Sequence, residues 1–180
     1  MHFFKIILFL VILIITGNCT NSSTKVDNSA VKELDLQRYL GTWYEIARFD
    51  HRFERNLVGV TATYELRDDG KIRVINKGYR NSLDGKLKTA KGKARRPNPE
   101  KEPGKFKVAF FLFFYADYIV MELDEDYEWA LIGSSNDNYL WILSRTPQPS
   151  KNVVDKIVGL AQDRGYDTGK LIWVEQPNAE

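Results

Sequence analysis

From Thr42 onward the chain is a succession of short β-rich runs, each closed by a turn signal. The runs near 42–49, 58–67, 71–79, 86–95, 105–111, 117–123, 127–133 and 139–145 predict eight strands, at the spacing of an all-β barrel or sandwich. Asp69-Gly70 and Asp84-Gly85 are hairpin dipeptides, because both turn positions tolerate positive φ. Val58, Val60, Ala62, Tyr64 and Leu66 alternate with Gly59, Thr61, Thr63, Glu65 and Arg67, and Phe106, Val108 and Phe110 alternate with Lys105, Lys107 and Ala109. A period of two gives each strand one wet and one dry face. Sequential antiparallel strands of this number suit an eight-stranded up-and-down barrel, since closure removes exposed edges and leaves room for one small ligand.

Behind Pro147 and Pro149 comes one helical pattern, about 151–164, with Val153, Val154, Ile157, Leu160 and Ala161 on one stripe and Gly165 as its stop. A single apolar stripe predicts a helix packed on the outside of the barrel. Residues 171–174 offer a ninth, short strand. No internal repeat and no second domain are evident, so 34–177 is read as one domain.

The N-terminus is different in kind. Lys5 precedes ten unbroken apolar residues, 6–15, too short for a bilayer span of about 20 residues but right for a signal-peptide core. Thr16-Gly17-Asn18 leads into Cys19, the single cysteine of the chain. Residues 1–18 resemble a bacterial lipoprotein signal, with Cys19 as the acylated first residue and lipid anchor; Thr16 and Asn18 depart from the usual pattern. The alternative is ordinary cleavage near Asn18, leaving Cys19 as a free thiol. Residues 19–33, with the polar stretch 20–30, read as a flexible tether. Thr20 after the cysteine favours, by the same resemblance, the periplasmic face of the outer membrane.

The formal charge of +2 gives no electrostatic footprint for nucleic acid. Enzyme chemistry is poorly served: the two histidines are His2, in the signal, and His51, on a loop beside Arg52 and Arg55. No metal-ligand cluster or barrel cysteine offers a metal site or nucleophile, and no catalytic residue or cofactor is assigned. His51 could ligate haem or be a solvent-facing loop histidine beside Arg52 and Arg55, and the latter is the expectation.

Gly41-Thr42-Trp43-Tyr44 opens the first strand and Arg145 closes the eighth. Together with YLGTWYEIARFDHRFER at 39–55, NKGY at 76–79 and YLWILSRTP at 139–147, this resembles the lipocalin family, in its bacterial outer-membrane branch, over residues 34–177. In a closed meander the first and last strands are neighbours, so Trp43 and Arg145 are expected to stack at the barrel floor beside Gly41. A guanidinium over an indole face contributes about 0.5–2 kcal/mol.

Strand parity then sends Tyr139 and Trp141 inward. The resemblance agrees for Ala62, Tyr64, Val74, Ala90, Val108 and Phe110; Ala47, Val60, Asn76 and Tyr118 complete the candidate lining. Small residues at Ala47, Ala62, Ala90 and Gly92 leave volume unfilled. Glu45 and Asn76 are polar exceptions, either recognising a head group or forming satisfied buried pairs. Parity leaves open whether Trp129 or Ala130 faces inward.

Loops 50–57, 80–86, 111–117 and 133–138 form the open mouth. Within the third, residues 111–115 (FLFFY) are apolar. Ligand entrance, homodimer contact, membrane surface and simple strand extension all remain readings of it. Nine basic residues between Lys86 and Lys107 form either a solvated face or a patch for anionic lipid. The resemblance implies a carrier for fatty acids or lysophospholipids in the bacterial envelope, serving lipid storage, transport or membrane maintenance. A non-carrying envelope module is the alternative, with a lipid-modifying enzyme further behind.

Overall fold

The computed structural model describes residues 26–110 and 114–178. Its elements are α1 (Leu36–Tyr39), β1 (Gly41–Phe49), β2 (Leu57–Leu66), β3 (Ile72–Arg80), β4 (Leu87–Arg95), β5 (Lys105–Ala109), β6 (Ala116–Leu123), β7 (Trp129–Gly133), β8 (Leu140–Ser144), α2 (Lys151–Asp163) and β9 (Leu171–Trp173). Strands β1 to β8 pair antiparallel in sequence order, and β1 joins both β8 and β2, closing the barrel. The expected eight-stranded barrel, outer helix and ninth strand are all present. The signal segment, Cys19 and residues 111–113 lie outside the described residues.

Two cores sit on the two faces of the wall. The inner one gathers Tyr39, Trp43, Tyr64, Ile72, Val74, Phe106, Val120, Ala130, Ile132 and Leu143. The outer one lies beneath α2, where Ile157 and Ala161 meet Met121, Trp129, Leu131, Leu140 and Ile142. This settles β7: Ala130 and Ile132 face inward, Trp129 and Leu131 outward. Ser150 caps α2 by accepting from the Val153 amide, and burial of one stripe holds the helix in place.

The floor is a plug built around Arg145. Its guanidinium lies 3.7 Å from the Trp43 ring centroid. Its Nη atoms donate to the carbonyls of Arg38 at 2.6 Å, Leu40 at 3.0 Å and Thr42 at 2.9 Å, and Nε donates to Tyr127 at 3.2 Å. Those of Arg38 and Leu40 are carbonyls that the end of α1 leaves unpaired. Gly41 turns at φ +96°, and a Cβ there would stand 3.4 Å from Arg145 Nη1.

A bulge corrects one expectation. The β1–β8 register shifts between Glu45 and Ala47, so Ala47 pairs with Ile142 and Arg48 with Trp141. One extra residue reverses the parity of everything beyond it. Ala47, expected to line the interior, packs instead in the outer core with Ile46, Phe49 and Ile157. Arg48 takes the inward place.

Near the mouth, β1 and β2 part, and the C-terminal segment fills the gap. β1 pairs with β2 only over Gly41–Tyr44 and with β9 over Ala47–Phe49. The Gln176 amide donates to the carbonyls of Glu45 at 2.8 Å and Val60 at 2.9 Å, bridging the two strands.

The N-terminal stretch also differs from the flexible tether that its polarity suggested. Asp27 N–H donates to the Arg164 carbonyl and Val31 N–H to that of Val120, both at 2.9 Å. Arg164 in turn donates to the carbonyls of Asp27 and Ser29, so residues 26–31 are bound along the wall.

Arg145→Ala removes both the stack and the donors for these carbonyls. Urea unfolding should show a loss of about 2–4 kcal/mol, while affinity for a lumen ligand changes little.

Candidate ligand-binding site

Above the plug, three tyrosines seal the lower lumen. Tyr64 donates to the Tyr118 hydroxyl at 3.0 Å, and the Tyr118 and Tyr39 hydroxyls hydrogen-bond at 2.6 Å. Phe106 stands between Tyr39 and Tyr118, with ring centroids 5.9 Å from each. Burial pushes all three phenols above their ordinary titration range, so they act as a hydrogen-bonded apolar layer.

The candidate lining divides at this layer. Tyr64 and Val74 are buried in the floor, and Val60 is buried beneath the Gln176 bridge. Ala62, Asn76, Val108, Tyr118, Tyr139 and Trp141 are only half-buried. Ala90, opposite Asn76 in the β3–β4 register, is exposed although it shares the inward face. Phe110 lies just past β5, 45% exposed, with its ring over Gly92. Inward residues above this layer keep accessible surface whereas those below it are buried, so the upper lumen is the candidate cup and the layer its base.

One wall of the cup carries a polar network that an uninterrupted β1 would not have placed there. Arg48 Nη1 donates to Glu45 Oε1 at 2.7 Å, and Nη2 donates to the Glu54 carbonyl at 2.7 Å. Glu54 Oε2 accepts from Trp141 Nε1 at 3.2 Å and lies 2.9 Å from His51 Nε2. The rings of His51, Tyr139 and Trp141 cluster at 5.3–5.8 Å. His51 is therefore buried, contrary to the solvent-facing loop position expected for it. Glu45 is satisfied by Arg48, which fits the buried-pair reading. Arg48 and Glu54 went unnoticed in the sequence because only the bulge and the fold-back of the 50–57 loop bring them inward.

Burial, reinforced by the Glu54 carboxylate, pushes Glu45 well above its ordinary value despite Arg48. Burial also pushes Glu54 upward, but bonding from His51 and Trp141 and the charge of Arg48 outweigh it and hold Glu54 below the usual range. Burial thus favours the protonated form of Glu45, while the bonds from His51 and Trp141 favour the ionised form of Glu54.

Comparison with known proteins accords with this geometry. Residues 34–176 match the family model described as a lipocalin-like domain. The chain is a lipocalin. It is 47% identical over 161 residues to the outer membrane lipoprotein Blc of Escherichia coli K12, covering 89% of this chain and 90% of that protein. It is 40% identical to temperature-induced lipocalin-1 of Arabidopsis thaliana, covering 82% of each chain. Mouse apolipoprotein D is 33% identical, with 82% of this chain and 79% of that one covered. Insecticyanin from the tobacco hornworm Manduca sexta shares the fold, with a TM-score of 0.68 at 21% identity over 84% of this lipocalin and 86% of that chain. The family is one of binding proteins rather than, in general, enzymes.

In this lipocalin the raised Glu45 value ties stability to pH. The protonated carboxyl favours the fold, and that preference is lost as pH rises through the raised value. Glu45→Gln keeps the shape without the titration. Its urea midpoint should fall less than the parent's as pH is raised from the ordinary carboxylate range through neutrality.

Proposed function

We propose that this lipocalin carries one fatty acid or lysophospholipid in the upper lumen and does not transform it. It works at the outer membrane, anchored through an acylated Cys19, in lipid storage, transport or membrane maintenance. The observation that carries the reading is the accessible inward surface formed by Ala62, Asn76, Ala90, Val108 and Trp141 above a hydrogen-bonded aromatic base. Apolar walls with few convergent polar groups are the usual character of such a site. A single chain suits the cup, its tail descending toward Tyr118 and its head group remaining near the mouth.

Asn76 supports the head-group part. Its Oδ1 is buried on the inward face, and among the described residues no group hydrogen-bonds to it. A buried acceptor of this kind has use for a donor, such as a ligand hydroxyl or protonated carboxyl. A carrier role is consistent with His51 and Glu54, whose contact is held against Trp141. The names of the Escherichia coli and Vibrio cholerae relatives, both outer membrane lipoproteins, support the location.

Native mass spectrometry of protein purified without detergent should show one bound lipid per barrel, displaced by a fluorescent fatty acid. A barrel that neither retains lipid nor takes up the probe would overturn the carrier reading. Ala90→Trp, which fills the cup from an accessible position, should weaken fatty-acid affinity about tenfold or more and leave the thermal midpoint nearly unchanged.

A further inference from the structure

The two ends of the barrel have different surfaces. Among the described residues, the exposed large hydrophobics are Phe53, Leu66, Leu87, Phe110, Phe114, Ile172 and Trp173. Of these, Leu66 alone lies at the floor, at the end of β2. Phe53 is 69% exposed on the β1–β2 loop and Phe114 77% exposed on the β5–β6 loop. Leu87 begins β4 and Phe110 follows β5, both at the same open end. Ile172 and Trp173 flank them on β9, paired to Arg48 and Ala47. Side chains of this size on several separate loops are unusual for a face meeting only water.

The same rim carries cations. Arg52 stands 5.0 Å from the Phe53 ring centroid. Lys86 and Lys88 lead into β4, and Lys88 lies opposite Gly78 on the inward face. Among the described residues, no salt bridge involves Arg52, Lys86 or Lys88, whereas Asp50 is paired with Arg55. Near an anionic lipid surface each such cation contributes about 1 kcal/mol.

The path of the chain is independent of both. Val26 shares a cleft of about 660 Å³ with Phe49, Asp50, Asp137 and Asn138, residues of the open end. Asn28 donates to the Ser134 carbonyl at 3.0 Å, just past β7, and Asp35 N–H donates to the Tyr127 hydroxyl at 2.8 Å on the floor. The described chain therefore starts beside the mouth and descends the wall. Cys19 lies seven residues before Val26, and seven residues span at most about 25 Å. That is roughly the length of a barrel strand, so a lipid on Cys19 reaches the bilayer without a crossing of the whole barrel wall only when the mouth is the nearer end.

We propose that the open end of the barrel docks on the anionic bilayer that holds the Cys19 anchor, with Phe53 and Phe114 in the interface and the floor away from it. The lumen then opens onto the lipid rather than onto water. The anchor belongs to the function proposed above, and the docking rests on it.

The test uses the full chain, purified from membranes and reconstituted in phosphatidylethanolamine–phosphatidylglycerol vesicles. Acylation occupies the Cys19 sulfur, so Phe53→Cys, Phe114→Cys and Leu66→Cys each supply one thiol for a nitroxide label. Labels at 53 and 114 should show an oxygen-to-nickel collision ratio roughly threefold above that at 66. The ratio at 53 and 114 should fall toward the value at 66 in phosphatidylcholine vesicles at high salt. Water-like ratios at all three positions would overturn the docking, as would a lipid-like ratio at 66. Dipolar broadening between 114 labels with water-like ratios would assign the rim to a second copy instead. A parent protein that takes label at Cys19 overturns the anchor reading alone, and the collision ratios at 53, 66 and 114 still decide the docking.

Discussion

Arg145 draws together parts of the chain that are remote in sequence. One guanidinium covers the Trp43 indole, receives the end of α1 through the carbonyls of Arg38 and Leu40, and reaches the β6–β7 turn through Tyr127. A charge half out of water is tolerable here because every nitrogen has an acceptor and one face has a ring. The contact fixes where β1 begins, closes the barrel between β1 and β8, and shuts one end. From that closure follows the rest: the tyrosine layer above it, the accessible cup above the layer, and the identity of the open end.

The second constraint is the β1 bulge. Without it, Ala47 would face the lumen and Arg48 the apolar cluster beneath α2. With it, Ala47 supplies the small residue that lets Ile157 and Ala161 of α2 approach the wall. Arg48 comes inside to bond the Glu45 carboxyl and to hold the carbonyls of Glu54 and Leu57. The outer packing and the inner chemistry are thus two consequences of one inserted residue. The Gln176 bridge belongs to the same region, since β1 and β2 separate there and their carbonyls require another donor.

The architecture and most of the inward face were legible in the sequence. Period-two alternation is a local property, and Asp-Gly turns mark where strands reverse, so strand number and order follow from neighbours along the chain. Trp43 and Arg145 were also legible, because a closed meander makes its first and last strands adjacent. Three features were not. The position of Ala47 depended on a register shift set by pairing with β8. His51 and Glu54 depended on how a loop folds back over Trp141. The docking of residues 26–31 depended on Arg164, more than a hundred residues away.

The sequence by itself thus determined an antiparallel eight-stranded barrel with an outer helix and a plugged floor. Alternation, turn chemistry and hydrophobic length are read over a few consecutive residues, and tertiary packing had no reason to override them. Only the tertiary structure decided which side of the bulge each β1 residue takes, which way burial and bonding shift Glu45 and Glu54, and at which end of the barrel the described chain begins. Those depend on hydrogen-bond partners and desolvation supplied from distant parts of the chain, which no local pattern encodes.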